Sequence, residues 1–97
     1  MTIWFVSRHP GAIEWAARHG VDYDRHATHL EFEDVIRGDT VIGSLPVNLA
    51  AQVCERGARL INLSLYLPSG ARGRELSADD LDAYGARLEA YLVEKIR

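Results

Sequence analysis

The stretch 3–11, which reads IWFVSRHPG, predicts a short buried strand that turns directly into a helix. Its apolar half is rich in β-branched and aromatic side chains, which is typical of a strand inside a core. Pro10 suits the first position of a helix, where its missing N–H would have no partner. The stretch 40–48, TVIGSLPVN, repeats this pattern. Two such turns, each with free N–H groups and a helix dipole, predict a site for a phosphorylated ligand.

The bulk composition indicates one globular domain over residues 1–97, with 47% hydrophobic and 26% charged residues. A formal net charge of −3 argues against broad binding of long DNA or RNA, but it allows a compact anion site with a few local arginines. The single cysteine, Cys54, excludes an internal disulfide and a cysteine-based metal cluster, and we expect it to be buried and inert. Because the sequence has no signal peptide pattern and no apolar run of about 20 residues, we expect a cytoplasmic protein without a membrane partner.

Strands alternate with helices along the chain, which favours an α/β fold with a mostly parallel sheet flanked by helices. We predict strands over 2–7, 40–44 and 59–67, an edge strand over 25–30, a helical turn over 31–36, and helices over 11–19 and 46–56. Each of these two helices has an apolar stripe that is expected to face the core: Ala12, Ile13, Ala16 and Ala17 in the first, and Val47, Ala50, Ala51 and Cys54 in the second.

A long final helix is predicted after residue 77. Ser77 can cap its N-terminus, and Asp80 completes a weak form of the capping box. Leu76 and Leu81 can form a hydrophobic staple across this cap. The side chains expected on the core face of the helix are Leu81, Tyr84, Leu88, Tyr91 and Leu92.

The segment 68–75 is rich in glycine and arginine and is predicted to be a loop. Right-handed crossovers would bring this loop and both proline turns to the carboxyl ends of parallel strands. Ligands of open α/β sheets bind at that edge, near the point where the strand order reverses. We therefore expect the three segments to converge on one pocket.

The first turn contributes Arg8 and His9 as candidate catalytic residues and Ser7 and Gly11 as candidate binding residues. The planar guanidinium of Arg8 suits a phosphate. The imidazole of His9 suits a general acid, a general base or a simple donor near neutral pH. The alternative is purely structural: Ser7 and His9 cap the helix, and Arg8 is solvated.

The second turn contributes Ser44 as a candidate catalytic residue and Gly43 and Asn48 as candidate binding residues. The hydroxyl group, the backbone N–H groups and the Asn48 amide are suited to contact phosphate or ribose. In the loop, Arg72 and Arg74 lie between glycines and are candidates to close over the ligand and neutralise phosphate. The alternative for both segments is an exposed surface without a ligand.

The histidines offer no metal-binding pattern. His26 and His29 would point to opposite faces of a strand, and neither they nor His19 form an HExxH motif. We expect no metal and no cofactor. The sequence also has no Walker motif, no GxGxxG and no GxSxG, so the common nucleotide and hydrolase fingerprints are absent.

Three segments resemble a known family: 5–12 (FVSRHPGA), 38–51 (GDTVIGSLPVNLAA) and 72–76 (RGREL). Their order and spacing are similar to those of the sixteenth family in the miscellaneous Csx series, CRISPR-associated proteins found beside type III systems. The resemblance implies a small Rossmann-like fold related to the CARF sensor domains. It also implies a ring nuclease, an enzyme that binds and linearises cyclic oligoadenylates, chiefly cyclic tetra-adenylate, and so switches off type III CRISPR signalling.

This activity is compatible with the candidate residues. A cyclic tetranucleotide has rotational symmetry, so a homodimer can present the same surface to each half of the ring. The ribose 2′-OH can attack the adjacent phosphate without a metal, with Arg8 stabilising charge, His9 transferring a proton or donating, and Ser44 positioning the ring. Two alternatives stay open: a non-catalytic sensor or sponge for the ring, and a structural accessory of the CRISPR effector without a nucleotide ligand.

Overall fold

A computed structural model describes residues 1–96. Five strands form one sheet in the order β2-β1-β3-β4-β5. The first four strands in the chain run parallel, and the fifth runs antiparallel to β4. The predicted α/β fold with a mostly parallel sheet is confirmed. The strands are β1 (Ile3–Val6), β2 (Arg25–Ala27), β3 (Thr40–Gly43), β4 (Arg59–Ser64) and β5 (Arg87–Tyr91).

Three helices flank the sheet: α1 (Pro10–Arg18), α2 (Val47–Glu55) and α3 (Ala78–Ala83). The expected helical turn after β2 is a short 3-10 helix, Phe32–Asp34, and a second one, Ser69–Ala71, lies in the predicted loop. None of the helices in the described part of the chain is long and apolar enough to cross a membrane.

Two apolar clusters, one on each face of the sheet, form the core. Trp4 and Val41 belong to the cluster that packs under α2, whereas Phe5 and Ile42 belong to the cluster under α1 and α3. Successive side chains of a strand point to opposite faces, so a strand covered on both sides must be apolar at every position. This is why the run IWFV contains no polar residue.

The predicted long final helix is wrong. Its start is confirmed, because Ser77 Oγ accepts the Asp80 N–H at 3.1 Å and Asp80 Oδ2 accepts the Ser77 N–H at 3.0 Å. However, α3 ends at Ala83, and Gly85 then adopts a positive φ of 71°. Glycine takes this left-handed conformation without steric cost, so the chain leaves the helix here.

The residues after Gly85 form β5 instead of continuing the helix. Leu88 is the register partner of Leu63 in β4, and the pairing extends from Arg87 to Tyr91. β4 would otherwise be an edge with unpaired N–H and C=O groups, and pairing with β5 satisfies them. Tyr91 and Leu92, expected in the core, are 51% and 74% exposed.

The apolar stripes of α1 and α2 are shifted from the predicted ones. Val47 is 74% exposed, whereas Val53 is fully buried. Val47 is the first residue of α2, and the buried residues of this helix come later, at Ala50, Ala51 and Val53. In α1, Trp15 is buried and Ala17 is exposed. Cys54 is only partly buried, and its Sγ accepts the Val93 N–H at 3.4 Å.

The amino ends of β1 and β3 are joined by Asp39, whose side chain is 1% exposed. Its carboxylate accepts the N–H groups of Thr2 at 2.9 Å and Ile36 at 3.1 Å and the indole N–H of Trp4 at 3.3 Å. Burial alone would raise the pKa of Asp39, but these three donors outweigh it and lower the pKa below the ordinary value. The buried negative charge at the amino edge of the sheet therefore has its hydrogen-bond donors within the fold.

Candidate functional site

A cavity of about 610 Å³ opens at the opposite edge, where the parallel strands end. Val6 and Gly43, the last residues of β1 and β3, both line it. β1 lies between β2 and β3, so the strand order reverses at this point. Crevices outside the carboxyl ends of strands at such a reversal are the usual binding sites of open α/β sheets. We call it the strand-end cavity.

The strand-end cavity brings together polar residues from all three predicted segments. The turn between β1 and α1 and the turn between β3 and α2 both contribute to its lining, and the loop before α3 contributes one arginine. The residues predicted for the site that line the cavity are Ser7, Arg8, His9, Gly43, Ser44 and Arg74.

Three residues predicted for the site, Gly11, Asn48 and Arg72, do not line the cavity. Gly11 has a packing role, because a Cβ there would lie 1.9 Å from the carbonyl oxygen of Leu76. The glycine therefore allows the start of α1 to lie directly against the segment that leads into α3. Asn48 and Arg72 are exposed on the surface outside the cavity.

The lining contains two arginines and no acidic residue within 1–96, although the whole chain carries a net charge of −3. Arg8, Arg74, His9 and His29 line the cavity, and none of the lining residues within 1–96 is acidic. Arg8 is exposed and forms no ion pair with any residue of that range. Such a concave surface favours an anion.

The guanidinium of Arg74 is held in place by contacts with one residue of α3 and with the residue that follows this helix. Its Nη2 donates to the Tyr84 hydroxyl at 3.0 Å and lies 3.7 Å from Asp80 Oδ1. The hydrogen bond with Tyr84 and the charge of Asp80 raise the pKa of Arg74. The loop arginine is therefore anchored to α3 before any ligand arrives.

Hydrogen bonds organise the turn after β1. They agree only in part with the structural alternative, in which Ser7 and His9 cap α1. Ser7 Oγ accepts the His9 N–H at 3.1 Å, but the His9 side chain makes no capping bond to α1. Instead, His9 Nδ1 lies 3.1 Å from Glu75 Oε1. The Ser7 carbonyl accepts a hydrogen bond from His26 Nε2 at 2.7 Å, which joins the turn to β2.

The turn after β3 approaches β1 closely. A Cβ at Gly43 would lie 2.5 Å from the Val6 carbonyl oxygen, so this position requires glycine. Ser44 Oγ donates to the Leu63 carbonyl at 2.8 Å. Because the hydroxyl proton is used there, the lone pairs of Ser44 are the part left to accept from a ligand.

Sequence reasoning missed the loop after β2 and the apolar part of the cavity. Thr28 and His29 come directly after β2, and the position of an edge strand beside β1 would have indicated them. The leucines were not predictable as a group, because they come from separate parts of the chain. The leucines that line the cavity are Leu30, Leu45, Leu49, Leu63, Leu65, Leu76 and Leu81, and we call them the leucine floor.

Within residues 1–96, no group of three or more His, Cys, Asp or Glu side chains is arranged to hold a metal ion. His29, one of the histidines considered above, instead lies 3.6 Å from Glu31. His19 contacts Asp82 at 2.6 Å, in a cluster that joins α1 to α3.

Residues 4–94 match the model of one protein family, described as "Putative CRISPR-associated protein (Cas_VVA1548)". The chain belongs to this family. The match spans every residue that lines the strand-end cavity, from Val6 to Leu81. The family description names neither a reaction nor a ligand. No curated protein and no solved structure matches the chain.

Proposed function

We propose that this CRISPR-associated protein is a ring nuclease of type III systems. It binds cyclic oligoadenylate, chiefly cyclic tetra-adenylate, and linearises it, which ends the second-messenger signal. The observation that carries the proposal is the strand-end cavity, where an acid-free lining with Arg8 and Arg74 lies above a floor of leucines. Association with CRISPR systems supports a ligand of this class.

The two parts of the cavity suit the two parts of a nucleotide. The exposed Arg8 and the anchored Arg74 supply charge-assisted donors for phosphate oxygens. The leucine floor supplies an apolar surface for the bases. A second copy of the chain, related by a twofold axis, would provide the same surface to the other half of the ring. We therefore propose a homodimer with one ring.

The proposed reaction uses a nucleophile that the substrate already contains. The ribose 2′-OH attacks the adjacent phosphorus, the P–O5′ bond breaks, and a linear product with a 2′,3′-cyclic phosphate forms. Arg8 and the N-terminal N–H groups of α2 stabilise the additional negative charge on the phosphate. His9 takes part in proton transfer, and the lone pairs of Ser44 help to hold the ribose. Since the nucleophile is internal, the proposed step requires no metal.

The test is incubation of purified protein with excess cyclic tetra-adenylate in EDTA. Chromatography should show a linear product carrying a 2′,3′-cyclic phosphate, in more than stoichiometric amount. A stable complex with an intact ring would replace the nuclease with a sponge. If no cyclic oligoadenylate raises the Tm, the proposal of a nucleotide ligand is wrong, because a ligand that binds only the folded state must stabilise it.

The proposed assembly has its own measurement. Light scattering with and without the ring should give the mass of two chains, and titration calorimetry should give one ring per two chains. A ratio of one ring per chain would contradict the shared site.

A further inference from the structure

Glu75 lies outside the lining of the strand-end cavity but contacts His9, which is part of that lining. The two residues are separated by 66 positions in the chain, yet Glu75 Oε1 lies 3.1 Å from His9 Nδ1. Both side chains are 62% exposed, so a ligand can reach the His9 imidazole from solvent. The sequence alone gave no indication of this contact.

The backbone brings the two side chains together. Gly11 follows His9 by two residues, and Leu76 follows Glu75 directly. The Leu76 carbonyl approaches Gly11 so closely that only glycine fits. Immediately after it, Ser77 and Asp80 form the capping box that begins α3. Both members of the pair are therefore attached to backbone that is packed and hydrogen-bonded.

The chemistry of this contact selects one tautomer of His9. A carboxylate only accepts hydrogen bonds, so the proton must be on Nδ1. In the neutral ring Nε2 then carries the lone pair, and it is the nitrogen left for a ligand. The other charged or titratable side chains that line the cavity are Arg8, Arg74 and His29. None of them is a carboxylate that could compete with Glu75 for the His9 imidazole.

We propose that Glu75 is a positioning residue that makes His9 a general base, an inference that rests on the proposed nuclease activity. Nε2 accepts the proton of the 2′-OH while the O2′–P bond forms. The P–O5′ bond breaks, its electron pair remains on O5′, and O5′ takes a proton from water. The carboxylate of Glu75 orients the His9 imidazole and stabilises the imidazolium that forms, as a histidine base requires.

The first measurement needs no substrate. Long-range ¹H–¹⁵N NMR of the free protein should show neutral His9 with its proton on Nδ1 in the wild type and in Glu75→Gln, since the amide oxygen can still accept. In Glu75→Ala the signals should shift toward the Nε2–H form. A wild-type His9 that carries its proton on Nε2 would overturn the proposal.

The second measurement is the single-turnover cleavage rate with cyclic tetra-adenylate. Glu75→Ala should slow cleavage by about tenfold, with less than about a twofold change in the Kd of the ring, and Glu75→Gln should recover most of the rate. When Glu75→Ala is combined with His9→Ala, the cleavage rate should fall no further than in His9→Ala alone, because Glu75 acts through His9. The matched control is Glu55→Ala, an exposed carboxylate on α2 that should behave as wild type.

Equal losses from Glu75→Ala with and without His9 would also overturn the proposal. A wild-type protein that leaves the ring intact would instead contradict the proposed nuclease activity. The NMR measurement on the ligand-free protein would still decide the tautomer, so the two failures are distinguishable.

Discussion

At the amino ends of β1 and β3, Asp39 is buried and its carboxylate accepts three N–H groups. At the carboxyl ends of the same two strands, Arg8 is exposed and has no ion pair within residues 1–96. Both edges carry a charged side chain beside the same strands. One edge satisfies its charge inside the fold, and the other presents its charge to solvent.

This difference separates a structural charge from one available to a ligand. A buried charge without partners is costly, so Asp39 is surrounded by donors that stabilise it. An exposed arginine keeps its hydration and needs no protein partner, so Arg8 can exchange water for an anion. The cluster between α1 and α3 also contains a carboxylate whose hydrogen-bond donors belong to the fold. There, Asp82 accepts from Trp15, Arg18 and His19.

The largest expected effect concerns the amino edge. Asp39→Ala leaves three N–H donors without their acceptor and should lower the free energy of unfolding by about 3 kcal/mol. Denaturant unfolding measures this, with the exposed Asp22→Ala as the control. The ring affinity of the folded fraction should stay unchanged. An equally stable Asp39→Ala variant would remove the contrast between the two edges.

At the carboxyl edge, Arg8→Ala should reduce ring cleavage by about 100-fold with little change in Tm, because it removes charge stabilisation without removing a structural contact. Single-turnover kinetics and thermal unfolding measure the two effects. Arg59→Ala is the matched control, since Arg59 is an exposed arginine at the amino end of β4. A wild-type rate in Arg8→Ala would exclude Arg8 from the site.

A smaller effect compares the two loop arginines. Arg74 lines the cavity and Arg72 does not. Arg74→Ala should therefore weaken ring binding by about tenfold, and Arg72→Ala by less than about twofold. Titration calorimetry of both variants decides this. Equal losses would mean that the loop changes its conformation when the ring binds.

The smallest effect is the acid dependence of the α1–α3 cluster. Hydrogen bonds from Arg18 and then His19 lower the pKa of Asp82 below its ordinary value. Its contribution to stability is therefore complete above the unfolded pKa and is lost as the pH falls below about 4, through the folded pKa. Thermal unfolding from pH 7 to pH 2 should show wild type and Asp82→Asn converging in acid. A constant difference in Tm would contradict this.

Local patterns were sufficient for much of the fold. The apolar run before Ser7 predicted β1, Pro10 marked the start of α1, and the Ser77–Asp80 capping box is present as predicted. The final helix was mispredicted because the apolar spacing of residues 81–92 suits a helix. Gly85 and the open edge of β4 decided otherwise, and the latter is not visible in local sequence.

For the site, the sequence alone determined that the polar turns after β1 and β3 lie at the same edge, because parallel strands end at one edge of the sheet. Tertiary structure decided which of them share a cavity: Arg74 rather than Arg72, with Glu75 against His9 and with leucines from separate parts of the chain. Contacts between residues far apart in the chain depend on packing, as the approach of Leu76 to Gly11 shows. Neighbouring residues in the sequence carry no record of such distances.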